Sequence, residues 1–185
     1  MPYGPRVALS PAELELADDI GRTRYQNNRK WAKAQHGYFN DKPDSVGVNM
    51  DVIGAAAEIA ARRFLGASWL RIATEVNEND AGDGFYDLVD HCGIRWGVRG
   101  TGYMRGHLCL YEKDLLLTPS MPIILVTVDL NQGFGVLRGW ITPKEGCVFA
   151  YESKARQLGW VDGYAVPQEM LNPMSHAPSG HGMED

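Results

Sequence analysis

Phe85-Tyr86-Asp87-Leu88-Val89-Asp90-His91-Cys92-Gly93-Ile94-Arg95-Trp96-Gly97-Val98-Arg99-Gly100 is the stretch on which the fold turns. Two runs rich in β-formers flank His91-Cys92-Gly93. This is the pattern of a hairpin closed by a three-residue loop with glycine in the left-handed position. Such a loop pairs Asp90 with Ile94, Leu88 with Trp96, Asp87 with Gly97 and Tyr86 with Val98. Opposed residues share a face. One face then carries Tyr86, Leu88, Ile94, Trp96 and Val98 and reads as core. The other carries Phe85, Asp87, Val89, Arg95, Gly97 and Arg99. Asp87 therefore stands on a mixed face beside a glycine that leaves space, with Arg99 one pleat further on. A loop one residue longer or shorter would invert this assignment.

Further strands are expected near His107–Tyr111, Ile123–Leu130, Val136–Ile141 and Tyr164–Val166. Ile123-Ile124-Leu125-Val126-Thr127-Val128 is an almost unbroken apolar run, as in a strand covered on both faces. Asn131 to Gly135 reads as the loop of a second hairpin. Upstream, Ser10-Pro11-Ala12-Glu13 is a capping box with proline at the first helical position, and opens a helix to about Gln35. Its later half is basic: Arg22, Arg24, Arg29, Lys30 and Lys33, with Arg22, Arg29 and Lys33 on one face. His36 to Val48 reads as a loop. A second helix is expected from about Asp51 to Leu65, stopped by Gly66. Its centre, Ile53 to Ala61, is mostly small residues, able to lie very close to a neighbour, and carries one carboxylate, Glu58. A short helix is expected around Ser153–Leu158. The sequence thus divides into an N-terminal helix and loop (1–50), a core (51–171) and a mobile Pro/Ser/Gly/His tail (172–185).

The 185 residues suit about one domain. With 44% hydrophobic and 22% charged residues, the chain has the composition of a globular protein. No apolar run nears the ~18 residues that span a bilayer, and the start lacks a signal-peptide pattern. Three cysteines without CxxC spacing argue against a disulfide framework or zinc cluster, so a cytoplasmic setting is expected. A net charge of −5 excludes a broadly basic coat, but not a local basic groove. Phosphate-binding glycine loops and the Gly-x-Ser-x-Gly elbow are absent from the sequence.

The order of helix with a central Glu, strand Asp, and hairpin return ending in acid-x-Lys resembles the PD-(D/E)xK nuclease superfamily, and most nearly its phage and bacterial proteins of unassigned role. The matching stretches are Gly54 to Glu58 to Leu65-Gly66, Asp87, Val98-Arg99-Gly100-Thr101, Gly106-His107-Leu108, Ile123–Val128, Arg138-Gly139-Trp140-Ile141 and Val166-Pro167-Gln168. Together they cover about 51–174. The resemblance implies a single α/β domain, a central mixed β-sheet flanked by helices in the restriction-endonuclease-like manner. It further implies a Mg²⁺- or Mn²⁺-dependent hydrolase acting on DNA, with Glu58 and Asp87 as metal ligands and Arg99 completing the catalytic set. Arg22, Arg29, Lys33 and Arg99 would contact nucleic acid. Two positions depart from the pattern. The second acid falls on Gly97, and the lysine falls on Arg99, a poor base that can still clamp phosphate. Asp83 or Asp90 would have to move in to replace the acid. The alternative is a non-catalytic module binding nucleic acid, or a phage or host protein, on the same scaffold.

Plainer roles stand beside these. Glu58 and Arg62 have the i,i+4 spacing of a surface ion pair. Arg22 to Lys33 suits a solvated face, His107 a packed imidazole, and His91 a loop tip.

Overall fold

The computed structural model describes residues 4–36, 44–67, 86–149 and 163–178. The chain runs β1 (Arg6–Ala8), α1 (Pro11–His36), α2 (Asp44–Leu65), β2 (Leu88–Val89), β3 (Arg95–Thr101), β4 (Leu108–Tyr111), α3 (Glu112–Leu117), β5 (Ile123–Asp129), β6 (Phe134–Ile141), α4 (Pro143–Phe149) and β7 (Gly163–Val166). Two 3₁₀ turns follow, Gln168–Met170 and Met174–His176. It is a mixed α/β domain. The expected helix at Ser153–Leu158 lies outside the described residues.

Strand order in the main sheet is β1-β6-β5-β3-β2, and β4 with β7 forms a separate two-stranded ribbon. Among the described residues only the β3–β5 pairing is parallel. β5 is the central strand, and it is buried on both faces as its composition demands. Ile124, Val126 and Val128 join the core under α2, while Ile123 and Leu125 join Leu108, Leu110 and Val166 of the ribbon. The sheet is therefore sandwiched, helices on one side and ribbon on the other.

The first hairpin has the register read from its sequence, with Leu88 opposite Trp96 and Val89 opposite Arg95. Gly93 has φ +84°, the left-handed value the loop requires. Asp90 organises that loop. Its Oδ1 accepts from the Cys92 and Ile94 amides at 2.8 and 2.9 Å, and its Oδ2 from the Trp96 indole at 3.0 Å. β2 is shorter than expected because the Asp87 carboxylate, rather than a strand carbonyl, accepts the Val98 amide at 2.6 Å.

α1 begins as expected. Glu13 Oε2 accepts the Ser10 amide at 2.7 Å and Ser10 Oγ accepts the Glu13 amide at 3.3 Å. α2 starts at Asp44, so the expected loop from His36 to Val48 is corrected: 44–48 is helical and 37–43 lies outside the described residues. The sequence shows Gly47 and β-branched valines there, poor helix formers in isolation. Packing on α1 overrides that preference. A Cβ at Gly47 would fall 2.4 Å from the Tyr25 ring, and one at Gly21 would fall 2.5 Å from the Val52 amide. The expected mobile tail is corrected as well for residues 172–178. Asn172 exchanges two hydrogen bonds with the Trp140 backbone at 2.8 and 2.9 Å, and Met174 is buried in the core. Residues 179–185 lie outside the described residues. β1, α3 and α4 are additional elements, β1 pairing antiparallel along β6.

α2 lies unusually close to the sheet. A Cβ at Gly100 would be 2.8 Å from the Ile53 carbonyl oxygen and 2.9 Å from Ala57 Cβ, and one at Gly135 would be 2.7 Å from Ala60 Cβ. Gly100→Val therefore forces the helix off the strand. We predict a loss of about 1–3 kcal/mol in urea unfolding, the usual cost of overpacking. An unchanged midpoint and slope would show that the contact is not tight.

Candidate functional site: two arginine-clamped carboxylates

The helix–sheet contact at Ala57 carries its neighbour Glu58 to the sheet, where Glu58 is only 8% exposed. A buried carboxylate needs a partner. It comes from α1. Arg24 Nη1 and Nη2 donate to Glu58 Oε1 and Oε2 at 2.6 and 2.9 Å, a fork-to-fork pair. Arg62, the partner suggested by i,i+4 spacing, is itself fully buried and donates to the Asp87 backbone carbonyl.

Arg24 belongs to the basic later half of α1, but it turns inward. The signal was present in the sequence. Ala17, Ile20, Gly21 and Arg24 follow helical i, i+3, i+4, i+7 spacing, and the first three are buried, so Arg24 continues the stripe facing α2. Of the residues expected to contact nucleic acid, Arg22 is exposed and bonded to Asp18 at 2.6 Å, and Arg29 is exposed near the Tyr25 ring. The Lys33 side chain lies outside the described residues.

Asp87 sits at the end of the hairpin, immediately before the edge strand β2. Its pKa is pushed up from the ordinary 3.8 to about 6. Burial is the main cause and the nearby Glu58 carboxylate the second; Arg99, the Val98 amide and Arg24 oppose them. Asp51, two helical turns before Glu58, is also raised by burial, with Arg24 opposing. Arg24 is thus the cation shared by three carboxylates.

Arg99 approaches Asp87 from the other side, with Nη1 3.8 Å from Oδ2. Its firmer partner is Asp114, whose Oδ1 and Oδ2 lie 3.0 and 2.9 Å from Nη2. Burial disfavours the Arg99 charge, but Asp114 and Asp87 outweigh it and its pKa is raised. Asp114 also accepts the Tyr111 amide at 2.9 Å, closing the first turn of α3. Asp114 is not legible in the sequence because α3 has only six residues, too few to show a helical period.

The structure brings Glu58, Asp87 and Arg99 together, and adds Arg24 and Asp114. Two expectations about their surroundings are corrected. Gly97 does not leave space beside Asp87: it is buried, and a Cβ there would stand 3.1 Å from Ile123 Cγ1 and 3.3 Å from Met121 Cε. Asp90 cannot move into the site, since its carboxylate holds the hairpin loop. Asp83 lies outside the described residues. His91 is more than a loop tip, its Nδ1 lying 3.0 Å from the Leu65 carbonyl oxygen at the end of α2.

A Mg²⁺ or Mn²⁺ ion at Glu58 and Asp87 needs about six oxygen donors in near-octahedral array. Both Glu58 oxygens face Arg24, one Asp87 oxygen takes the Val98 amide, both Asp114 oxygens face Arg99, and Gly97 supplies none. Among the described residues no group of three or more His, Cys, Asp or Glu is placed to hold a metal ion. The donor set as folded does not fit the ion. Among the described residues no helix is long and apolar enough to cross a membrane. No family model, curated protein or solved structure matches the chain.

The Asp87 proton has a stability consequence. The folded state holds it more tightly than the unfolded chain, so stability falls as pH rises from about 4 through about 6. Asp87→Asn removes that slope. With the Asp87 side chain 30% exposed, solvent screening limits the gain above pH 6 to about 1–2 kcal/mol. Chemical denaturation of both proteins across this range checks it. Parallel pH profiles would contradict the assignment.

Proposed function

We propose that this chain is a nucleic-acid-binding module on a restriction-endonuclease-like scaffold, whose Glu58–Asp87 centre no longer hydrolyses phosphodiesters. The supporting observation is the Arg24 fork on Glu58. A guanidinium, rather than a divalent cation, neutralises the buried carboxylate, and the place of the second acid is a glycine packed against Ile123 and Met121. Arg99 lacks the acid–base flexibility of a lysine and is engaged by Asp114. The resemblance of the motif order to PD-(D/E)xK proteins supplies the nucleic-acid class. DNA is the favoured partner, and a phage origin accords with the same resemblance.

One observation favours the catalytic reading instead. Asp87 stays close enough to Glu58 for the two to repel, the arrangement by which acidic centres tune their protonation.

The two readings separate in one experiment. The purified chain is incubated with plasmid and single-stranded DNA in Mg²⁺ and in Mn²⁺, and binding is measured by gel shift over a salt series. The expected result is binding that weakens steeply with salt and no cleavage. Metal-dependent cleavage abolished by Asp87→Ala would establish an active nuclease. Absence of any DNA binding would remove the proposal altogether.

A further inference from the structure

Three of the sequence stretches left unexplained by the carboxylate site converge on one surface turn. β3 ends at Thr101, two residues beyond Arg99, and the chain turns through Tyr103, Met104, Arg105 and Gly106. The Gly106 amide donates to the Tyr103 carbonyl at 2.9 Å, closing a β-turn with Met104 and Arg105 at its corners. The Tyr103 amide donates to Thr101 Oγ1 at 3.1 Å. Gln168, from the far end of the chain, donates through Nε2 to the Met104 and Gly106 carbonyls at 3.2 and 2.7 Å. Arg138 bonds Thr127 Oγ1 at 2.8 Å and reaches the Met104 sulfur at 3.5 Å. Arg138 is itself the extra residue of a bulge between β5 and β6, a device that re-aims a side chain.

So much bracing would be expected to fix a buried element, yet the turn buries little. Tyr103 is 80% exposed and Met104 51%, and Arg105 is exposed. Among the described residues, neither the Tyr103 hydroxyl nor the Arg105 guanidinium has a hydrogen-bond or ion-pair partner. Holding an aromatic ring in water beside an unpaired cation gains the fold nothing. Pre-ordering the backbone that carries both groups lowers the entropy cost of binding something else.

We propose that the Tyr103–Arg105 turn is a stacking platform for single-stranded nucleic acid, one base lying on the Tyr103 ring and an adjoining phosphate on Arg105. The inference rests on the nucleic-acid reading above. A flat π-face and a free guanidinium two residues apart on one turn match an unpaired base and its phosphate, and a base inside a duplex does not offer that face. Charge complementarity selects this occupant over an apolar protein surface.

The test is fluorescence anisotropy of a labelled oligothymidylate against the full chain and its Tyr103→Ala, Tyr103→Phe and Arg105→Ala variants, with thermal melts to confirm folding. Both positions are exposed, so the fold is expected to be unaffected. Tyr103→Ala should weaken binding about 5- to 100-fold while Tyr103→Phe, which keeps the ring, stays near the parent. Arg105→Ala should reduce the logarithmic salt slope by about one contact, ~0.7 for a single strand. If the parent binds and Tyr103→Ala binds equally well, the turn is not the platform. No binding of the oligothymidylate by the parent overturns this inference, and the nucleic-acid reading falls with it only if plasmid DNA is not bound either. Self-association of the parent that Tyr103→Ala abolishes would assign the turn to a second copy of the chain and overturn the inference.

Discussion

Everything at the carboxylate site depends on how closely α2 lies on β3 and β6. Gly54, Ala57 and Ala60 on the helix meet Gly100 and Gly135 on the sheet with almost no side-chain spacer. A larger residue at Gly100 or Gly135 would lift the helix. Glu58 would then rise away from Asp87 and regain water. The small-residue stretch is thus both a packing device and the means by which a mid-helix carboxylate is placed at a sheet edge. The second helix interface works likewise, with Gly21 against Val52 and Gly47 against Tyr25. That contact sets the height of α1 and so lets Arg24 reach Glu58.

Bringing Glu58 and Asp87 together buried costs free energy that must be offset locally. Two arginines do this from opposite directions. Arg24 takes both oxygens of Glu58, and Arg99 lies between Asp87 and Asp114. Each acid therefore has a cation from the chain itself, and compensation comes from covalently tethered groups rather than an exchangeable ion. The residual mismatch is concentrated at Asp87, whose proton affinity is raised. A centre of this kind holds its charges rigidly and has little donor capacity left over for a solvated metal.

Much of the fold was legible because its signals are local. The three-residue loop with Gly93 fixed the hairpin register, the β5 run announced a strand covered on both faces, and Ser10-Pro11-Ala12-Glu13 announced α1. The same logic was available at Thr142-Pro143-Lys144-Glu145, which forms the same cap at α4, and passed unused because the helix after it is short. The rest was set by tertiary contact. The start of α2 is helical because Gly47 packs on Tyr25. Asn172 to Met174 is ordered because the left-handed Gly139, φ +147°, admits the tail to Trp140. At the site, Glu58, Asp87 and Arg99 were legible as a set. Arg24 required reading the buried stripe of α1 past Gly21. Asp114 required knowing that a six-residue helix stands beside Arg99. The space imagined at Gly97 was filled by Met121 and Ile123, neighbours that no hairpin argument supplies.

On the function proposed above, arginine side chains hold the place a divalent cation would take. Calorimetric titration of the intact chain with Mn²⁺ near neutral pH, beside Asp87→Ala, tests it most directly. No saturable binding that distinguishes the two proteins is expected. Stoichiometric Mn²⁺ binding by the parent, lost in Asp87→Ala, would show that the carboxylates release their arginines to a metal, and would contradict it.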